Sequence, residues 1–523
     1  MDAEVCIVGA GAAGGIMALE LARRGIQVLV IEAGPRHDFA QRGEYARRYL
    51  KHDNPWKSPG DLDRHTTSGT PGYRLDGRRA RGVGGSTLFW EGYVLRLHPD
   101  DLRLRTRHGV GDDWPLAYAD LEPYYTRAER ALGVAGAPDD PWAGPRSAPF
   151  PLPAFPWSYS DGLFARACAS TGIALHHLPQ ARNSQAYDGR AGCQACGTCH
   201  VCPTGAKASV DLTHVARAEA TGHARVLADS SVVRLDADRS GGVRAALVAR
   251  ARRPAERLTA RVFVLAGGAV ENARLLLHSS AADHPHGLGN RSGLVGRLFT
   301  SHPSVDVTGR APVRVHPYRT GFSSAMSRQF AVAGDRAARG AFMLELLNSA
   351  GGTPEAIAAR SGLWGAELKK HVQEQFGRRL GIRVFCEQLP DRGNAVALDP
   401  HVRDQLGTPV PHLRYSVGPY ERRALDEARD VAGRILAAAG CDDIRTSGLG
   451  VAAHQIGTHR MGADPATSVV DADLRAHDVA NLYLVGAGAF VTASASPPTL
   501  TIAALAIRAA ERIARELRPG APA

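Results

Sequence analysis

The stretch Glu4-Val5-Cys6-Ile7-Val8-Gly9-Ala10-Gly11-Ala12-Ala13-Gly14 decides the fold. Glu4 to Val8 have the pattern of a short buried strand that runs directly into a glycine-rich turn. Beyond the turn, Ile16, Leu19, Leu21 and Ala22 recur at helical spacing. Strand, tight turn and helix are the context in which these glycines make a dinucleotide site. Gly9 permits the turn, Gly11 lets a pyrophosphate approach the backbone, and Gly14 lets helix and strand pack closely. A second strand, Gln27 to Ile31, ends at Glu32, eighteen residues beyond Gly14, where a carboxylate can accept ribose hydroxyls.

The hexad leaves NAD and FAD both open. A second glycine-rich loop, Arg81-Gly82-Val83-Gly84-Gly85-Ser86-Thr87, has side chains small enough for its backbone amides to contact a pyrophosphate or the edge of a flavin ring.

The chain has 523 residues, too many for one small module, so a core shared by two lobes is expected. With 44% hydrophobic and 22% charged residues it is ordinary globular material, which excludes disordered and fibrous classes. Its 63 basic and 52 acidic side chains leave a formal charge of +11. Arginines are scattered among acids and aromatics are only 6%, so no nucleic-acid-binding face is expected. The most hydrophobic stretch, Arg261 to Ala269, is strand-sized, and no membrane span is expected. The first strand begins almost at once, without a basic leader or cleavage site ahead of it, and the expected location is cytoplasmic.

The hexad, the Gly84-Gly85-Ser86-Thr87 loop and Trp114-Pro115-Leu116 leading into Asp120-Leu121-Glu122-Pro123-Tyr124-Tyr125 resemble the glucose-methanol-choline (GMC) oxidoreductases. The likeness continues through Phe263–Asn272, Gly296–Pro303, His454–Gly462 and Asn481–Ile507, and is closer to the bacterial sugar dehydrogenase and pyranose oxidase branch. It implies FAD, an α/β fold with a discontinuous Rossmann-like FAD domain, and a second substrate domain on an antiparallel sheet. The cofactor-binding residues it implies, with those of the two loops, are Gly9, Gly11, Ala12, Ala13, Gly14, Glu32, Ala33, Arg81, Gly84, Gly85 and Ser86, then Val232, Ala266, Gly267, Gly486, Ala487, Pro498 and Thr499. Some pyranose oxidases attach FAD covalently through a histidine whose place here is taken by Phe89, so tightly but non-covalently held FAD is expected.

Residues 1–95, 190–300 and 448–523 are assigned to the FAD domain, and 96–189 and 301–447 to the substrate domain. The final helix is expected to begin near Thr499, after Pro497-Pro498, and to end before Pro519-Gly520. Its unpaired first-turn amides present the positive end of the helix dipole. In the family this end points at the flavin pyrimidine.

Four of eight cysteines lie in Cys193-Gln194-Ala195-Cys196-Gly197-Thr198-Cys199-His200-Val201-Cys202-Pro203. Spacing by three lets one loop wrap several thiolates around one centre, and the closing Cys-Pro resembles the ferredoxin run, although its last gap is one residue shorter. Cys193, Cys196, Cys199 and Cys202 are therefore candidate ligands of an iron-sulfur cluster, with structural zinc, disulfides or free thiols as alternatives. A cluster would pass electrons singly to a partner protein or mediator. The other cysteines, Cys6, Cys168, Cys386 and Cys441, read as small buried hydrophobes.

Oxidation of an alcohol carbon requires the hydroxyl proton to leave, so a base must stand at the reacting carbon. The family's pattern for this base is matched by His454-Gln455-Ile456-Gly457-Thr458-His459-Arg460-Met461, and the resemblance implies that His454 is the base. His459 reads as structural or a flavin neighbour, Arg460 as a support for the flavin or its loop, and His302 as a packing or loop-ordering residue. The family's second catalytic histidine or asparagine is replaced by Pro497, which has no side-chain donor or acceptor. Ser496, Ser494, Glu387 or Gln388 could supply the missing hydrogen bond, with Ser496 favoured, or His454 works alone.

The leading expectation is FAD-dependent oxidation of a hydroxyl of a sugar, glycoside or aminosugar to a carbonyl. The alternatives are a non-redox, lyase-like flavoprotein and a redox or scaffold subunit that binds a partner through the cysteine loop.

Overall fold

The computed structural model describes residues 1–518 apart from 52, 57–62, 239–240, 251–252, 317–320, 322, 333–334 and 349–351. Pro519-Gly520, where the final helix was expected to stop, lie outside the described residues.

Three near-continuous apolar runs, in Ala3–Val8, Val28–Ile31 and Ala260–Leu265, have no polar face to turn to water, and each is placed inside a parallel sheet covered on both sides. The strand order is Leu482–Leu484, Ala260–Leu265, Ala3–Val8, Val28–Ile31, Ala224–Leu227, and every neighbouring pair is parallel. The helix Ala12–Ala22 follows the first strand and packs on the final helix, Thr499–Leu517. The final helix buries Leu500, Leu505 and Ile513 against the same core and leaves arginines on its outer face.

The second sheet is antiparallel. Its order is Asp442–Thr446, Pro303–Arg310, Arg379–Cys386, Phe342–Leu346, Ala325–Ser327, His176–His177. Alternation with period two divides its faces. Val305, Val307, Ile382, Val384, Phe342 and Leu344 pack on the helix Pro419–Ala438, whose stripe of Leu425, Ala428, Val431, Ala432 and Ile435 fits them. The opposite face carries Asp306, Arg383, Phe385, Met343 and Glu345, with Arg383 paired in register to both Asp306 and Glu345.

Chain order does not separate the two sheets cleanly. The helix Tyr118–Leu132 belongs to the stretch read as substrate domain, yet Leu121, Tyr125, Ala128 and Leu132 bury into the core of the parallel sheet. Tyr125 Oη and Thr501 Oγ1 are 2.8 Å apart, which ties this helix to the final one. Two short pairings also join segments assigned to different domains: Thr66–Ser68 with Pro409–Arg414, and Gly450–Val451 with Pro303–Arg310. An apolar stripe on a helix specifies that it must be covered, not by which sheet.

Candidate active site

Both glycine loops meet at the carboxyl ends of the parallel strands. A Cβ on Gly14 would stand 1.9 Å from the Gly9 carbonyl oxygen, so only glycine lets the first helix start so near the first strand. Gly85 has φ +53°, and a Cβ there would lie 2.7 Å from the Gly11 Cα. The Gly84 amide donates to the Ala10 carbonyl at 3.0 Å, which stitches the loops together. Glu32 completes the joint. Its carboxylate accepts from the amides of Ala10 (2.8 Å), Gly34 (2.9 Å) and Gly82 (3.0 Å). Glu32 was read as a partner for ribose, and it does border the cavity, but backbone amides from three loops already hold it.

Between these loops lies a cavity of about 310 Å³. From the first loop and second strand, Gly9, Gly11, Ala12, Ala13, Glu32 and Ala33 line it. The second loop contributes Arg81, Gly85 and Ser86, and the later strands contribute Val232, Ala266 and Gly267. Gly486, Ala487, Pro498, Thr499 and His454 complete the wall. Gly14, Gly84 and Ser496 are not on it: the glycines shape the loops from behind, and Ser496 is buried at 1% exposure. Phe89 is not on the wall either. It packs beside Trp56, Leu88 and Val201, while Trp90 faces the cavity. Pro498 caps the final helix with no side-chain acceptor, so its first-turn amides border the cavity.

Sequence reasoning missed a charged part of the wall. Glu271 bonds Arg79 at 2.8 Å, Arg81 at 3.0 Å and Arg274 at 3.3 Å. Asp63 holds Arg79 and Arg81 at 2.8 and 3.1 Å, and Asp404 holds Arg274 at 2.6 Å. Burial opposes the charge on Glu271, but the Arg81, Arg79 and Arg274 guanidiniums outweigh it and hold its carboxyl well below the usual range. Arg79 Nη2 is buried with no hydrogen-bond partner among the described residues, a donor left over beside the cavity. The Arg-Arg-Ala-Arg run at 78–81 was the available signal.

The His454 region is different. Burial, and then the neighbouring His302 ring, lower the His454 pKa well below 6.5. His302 Nδ1 lies 2.6 Å from His454 Nδ1, and the Phe385 ring covers His454 at 5.6 Å. His302, read as a packing residue, is therefore the hydrogen-bonded neighbour of His454. Three of the four residues offered in place of the group lost at Pro497 have partners elsewhere. Ser494 Oγ donates to Asp101 at 2.8 Å, Glu387 is locked to Arg336 at 2.6 Å, and Gln388 accepts from the Ser301 amide and donates to the Ser416 carbonyl. His459 is fully buried, with its Nδ1 3.1 Å from Thr458 Oγ1, and Arg460 pairs with Asp112 at 3.0 Å.

Among the described residues the cysteine loop does not bring its thiols around one centre. All eight cysteines are free thiols, and among the described residues no group of three or more His, Cys, Asp or Glu side chains is arranged to hold a metal ion. Left-handed backbone at Ala195 and Gly197 turns Cys196 out to solvent, while Cys199 and Cys202 are buried. Cys202 Sγ accepts from the Lys207 amide at 3.1 Å, and Cys199 Sγ accepts from Arg182 at 3.7 Å. Even spacing gives thiols reach but does not give them a common direction.

A parallel sheet ending in two abutting glycine loops, with an antiparallel sheet beside it and a half-buried histidine on the cavity wall, defines a two-lobed nucleotide-cofactor oxidoreductase. Family models described as GMC oxidoreductase match residues 13–304 and 390–506. The fructose dehydrogenase large subunit of Gluconobacter japonicus is 31% identical, covering 99% of both chains. Paromamine 6'-oxidase of Streptomyces fradiae is 31% identical over 98% of this chain and 92% of its own. Among solved structures, a pyridoxine 4-oxidase from Mesorbium loti superposes with a TM-score of 0.66 at 20% identity, covering 98% of this chain and 99% of that one, which shows the shared fold. The chain belongs to the GMC oxidoreductase family, whose members bind FAD, and it is an FAD-dependent alcohol dehydrogenase or oxidase. Among the described residues no helix is long and apolar enough to cross a membrane.

Proposed function

We propose that this enzyme oxidises a hydroxyl of a sugar, glycoside or aminosugar to a carbonyl, with His454 as the base. The observation that carries the reading is a half-buried imidazole, bare of charged neighbours, on the wall of the cavity between the glycine loops. The cavity fits FAD: Gly11 and Gly85 leave a cradle that a side chain would fill, and Arg79 offers an unspent donor. The hexad, Arg81, Gly85 and Ser86 would hold the pyrophosphate, Val232 and Gly267 would border the adenosine, and the start of the final helix would favour negative charge on the ring. When bound, FAD supplies the acceptor for the hydrogen and electron pair of the carbinol C–H bond.

His454 takes the hydroxyl proton. Phe385 packs against the imidazole and Trp90 faces the cavity, where both would limit access of water. Two residues before Phe385, on the same sheet face, Arg383 stands between Asp306 and Glu345. Relatives named for fructose and paromamine support a substrate with several hydroxyls. The relative named a large subunit supports electron transfer to a partner protein or mediator. With Phe89 packed away from the cavity, FAD is held non-covalently, and denaturation should release all of the yellow colour. Anaerobic mixing with a panel of sugars and aminosugars tests the function: a substrate-dependent loss of flavin absorbance is expected, and an unchanged spectrum across the panel overturns it.

A further inference from the structure

An imidazole has two nitrogens, and only the unprotonated one can act as a base. His302 decides which nitrogen of His454 that is. It is fully buried, and its Nε2 faces the Ala493 carbonyl oxygen at 3.4 Å. A carbonyl oxygen only accepts, so the His302 proton sits on Nε2. Burial lowers the His302 pKa to about 4, so the ring carries one proton at neutral pH and its Nδ1 is bare. The atom facing that bare Nδ1 at 2.6 Å is His454 Nδ1, which must donate. The rings meet edge to face, at 4.8 Å and 79°, which fixes the orientation of both.

We propose that His302 is a positioning residue that accepts a hydrogen bond from His454 Nδ1–H and so fixes His454 in the tautomer whose bare Nε2 serves as the base. The proposal rests on the reading of His454 as the base. The substrate hydroxyl proton forms a bond to Nε2 as its bond to oxygen breaks. His454 becomes an imidazolium, and its Nδ1–H stays on His454, bonded to His302. The partner absent at Pro497 is thus replaced from the start of the antiparallel sheet, 152 residues before His454 in the chain. His302 is the only titratable group acting on His454 among the described residues, and His302 itself meets the Ala493 and Ser494 carbonyls and the Phe385 ring.

The test is long-range proton–nitrogen NMR on the full-length holoenzyme labelled with nitrogen-15 histidine, with His454 signals assigned from the His454→Gln variant. His454 should be protonated at Nδ1 and bare at Nε2. His302→Phe keeps ring volume but removes the acceptor, so the two tautomers should mix and flavin reduction should slow by about tenfold or more. His302→Asn, which returns an acceptor near the Nδ1 position, should recover part of that rate and the Nδ1–H tautomer. A wild-type His454 protonated at Nε2 overturns the proposal, as does a tautomer unchanged in His302→Phe. If that variant does not fold, the wild-type spectrum decides alone. Failure of every sugar to reduce the flavin overturns the function proposed above, whereas the tautomer is read without substrate.

Discussion

Two parts of one cavity wall are built on opposite principles. Around Glu271, three arginines and three carboxylates are crowded together and almost every charge is matched. Around His454 stand a second neutral imidazole, a phenylalanine ring and backbone carbonyls. Matched charge suits a wall that must hold an anionic group without moving. A base needs the reverse, because a carboxylate beside His454 would favour the imidazolium and leave no free lone pair. On the proposed function, the wall is ion-paired where it would bind and free of charge where it would react.

The largest break in this contrast comes from His454→Ala, which should slow flavin reduction by about two to four orders of magnitude while leaving bound flavin in place. Rapid-mixing kinetics with a reactive sugar measures it, and an unchanged rate would move the base elsewhere. The same site predicts a pH profile. The His454 pKa is depressed, so the base form is present above that low value and is lost only as pH falls through it, well below 6.5. The reduction rate should be flat from neutral pH down past 6.5, and an acid limb centred at or above 6.5 would contradict the charge-free description.

The charged part breaks by stability. Glu271→Gln removes the anion that three arginines share, and leaving them unmatched in a mostly buried site should cost about 3 kcal/mol in denaturant unfolding. The folded-state pKa of Glu271 is depressed, so its contribution is present above about 4.5 and is lost as pH falls through the folded value. The wild type should therefore lose stability on acidification over a range where Glu271→Gln does not. Equal acid sensitivity in both would show that the network is not holding the wall. A smaller effect is expected at Glu32. Glu32→Gln keeps its shape but turns an amide toward backbone donors, and about 1.5–3 kcal/mol should be lost, read as weaker FAD retention and a lower unfolding midpoint.

The two parts were not equally legible in the sequence. The glycine loops could be read because turn, strand and helix are written within about twenty residues, and local periodicity carries them. The charged wall was hidden because partners such as Arg81 and Glu271 are 190 residues apart, and arginine and glutamate are ordinary surface residues until a fold buries them. Resemblance pointed to His454, which lies on the cavity wall, whereas His302 reads as loop-ordering in the sequence, since nothing local indicates that its Nδ1 meets a ring from another segment. Ser496, the residue favoured to supply the missing hydrogen bond, is buried at 1% exposure and lies off the cavity wall. Glu387 and Gln388 have partners of their own, because hydrogen-bonding capacity says nothing about which partner claims it first.

The cysteine loop gives the smallest predicted effect and the sharpest limit on reading spacing as chemistry. Cys196 is exposed, and its Sγ has Thr198 Oγ1 as a neighbour at 3.1 Å. A serine hydroxyl can make the same contact, so Cys196→Ser should change unfolding free energy by less than about 0.5 kcal/mol. The visible spectrum and the rate of flavin reduction should match those of the wild type. A metal centre built on this thiol would behave otherwise, because removal of one of four ligands strips or distorts the centre and changes the spectrum at once. Loss of visible absorbance or of iron in Cys196→Ser would mean that the loop holds a metal and that Cys196 is among its ligands.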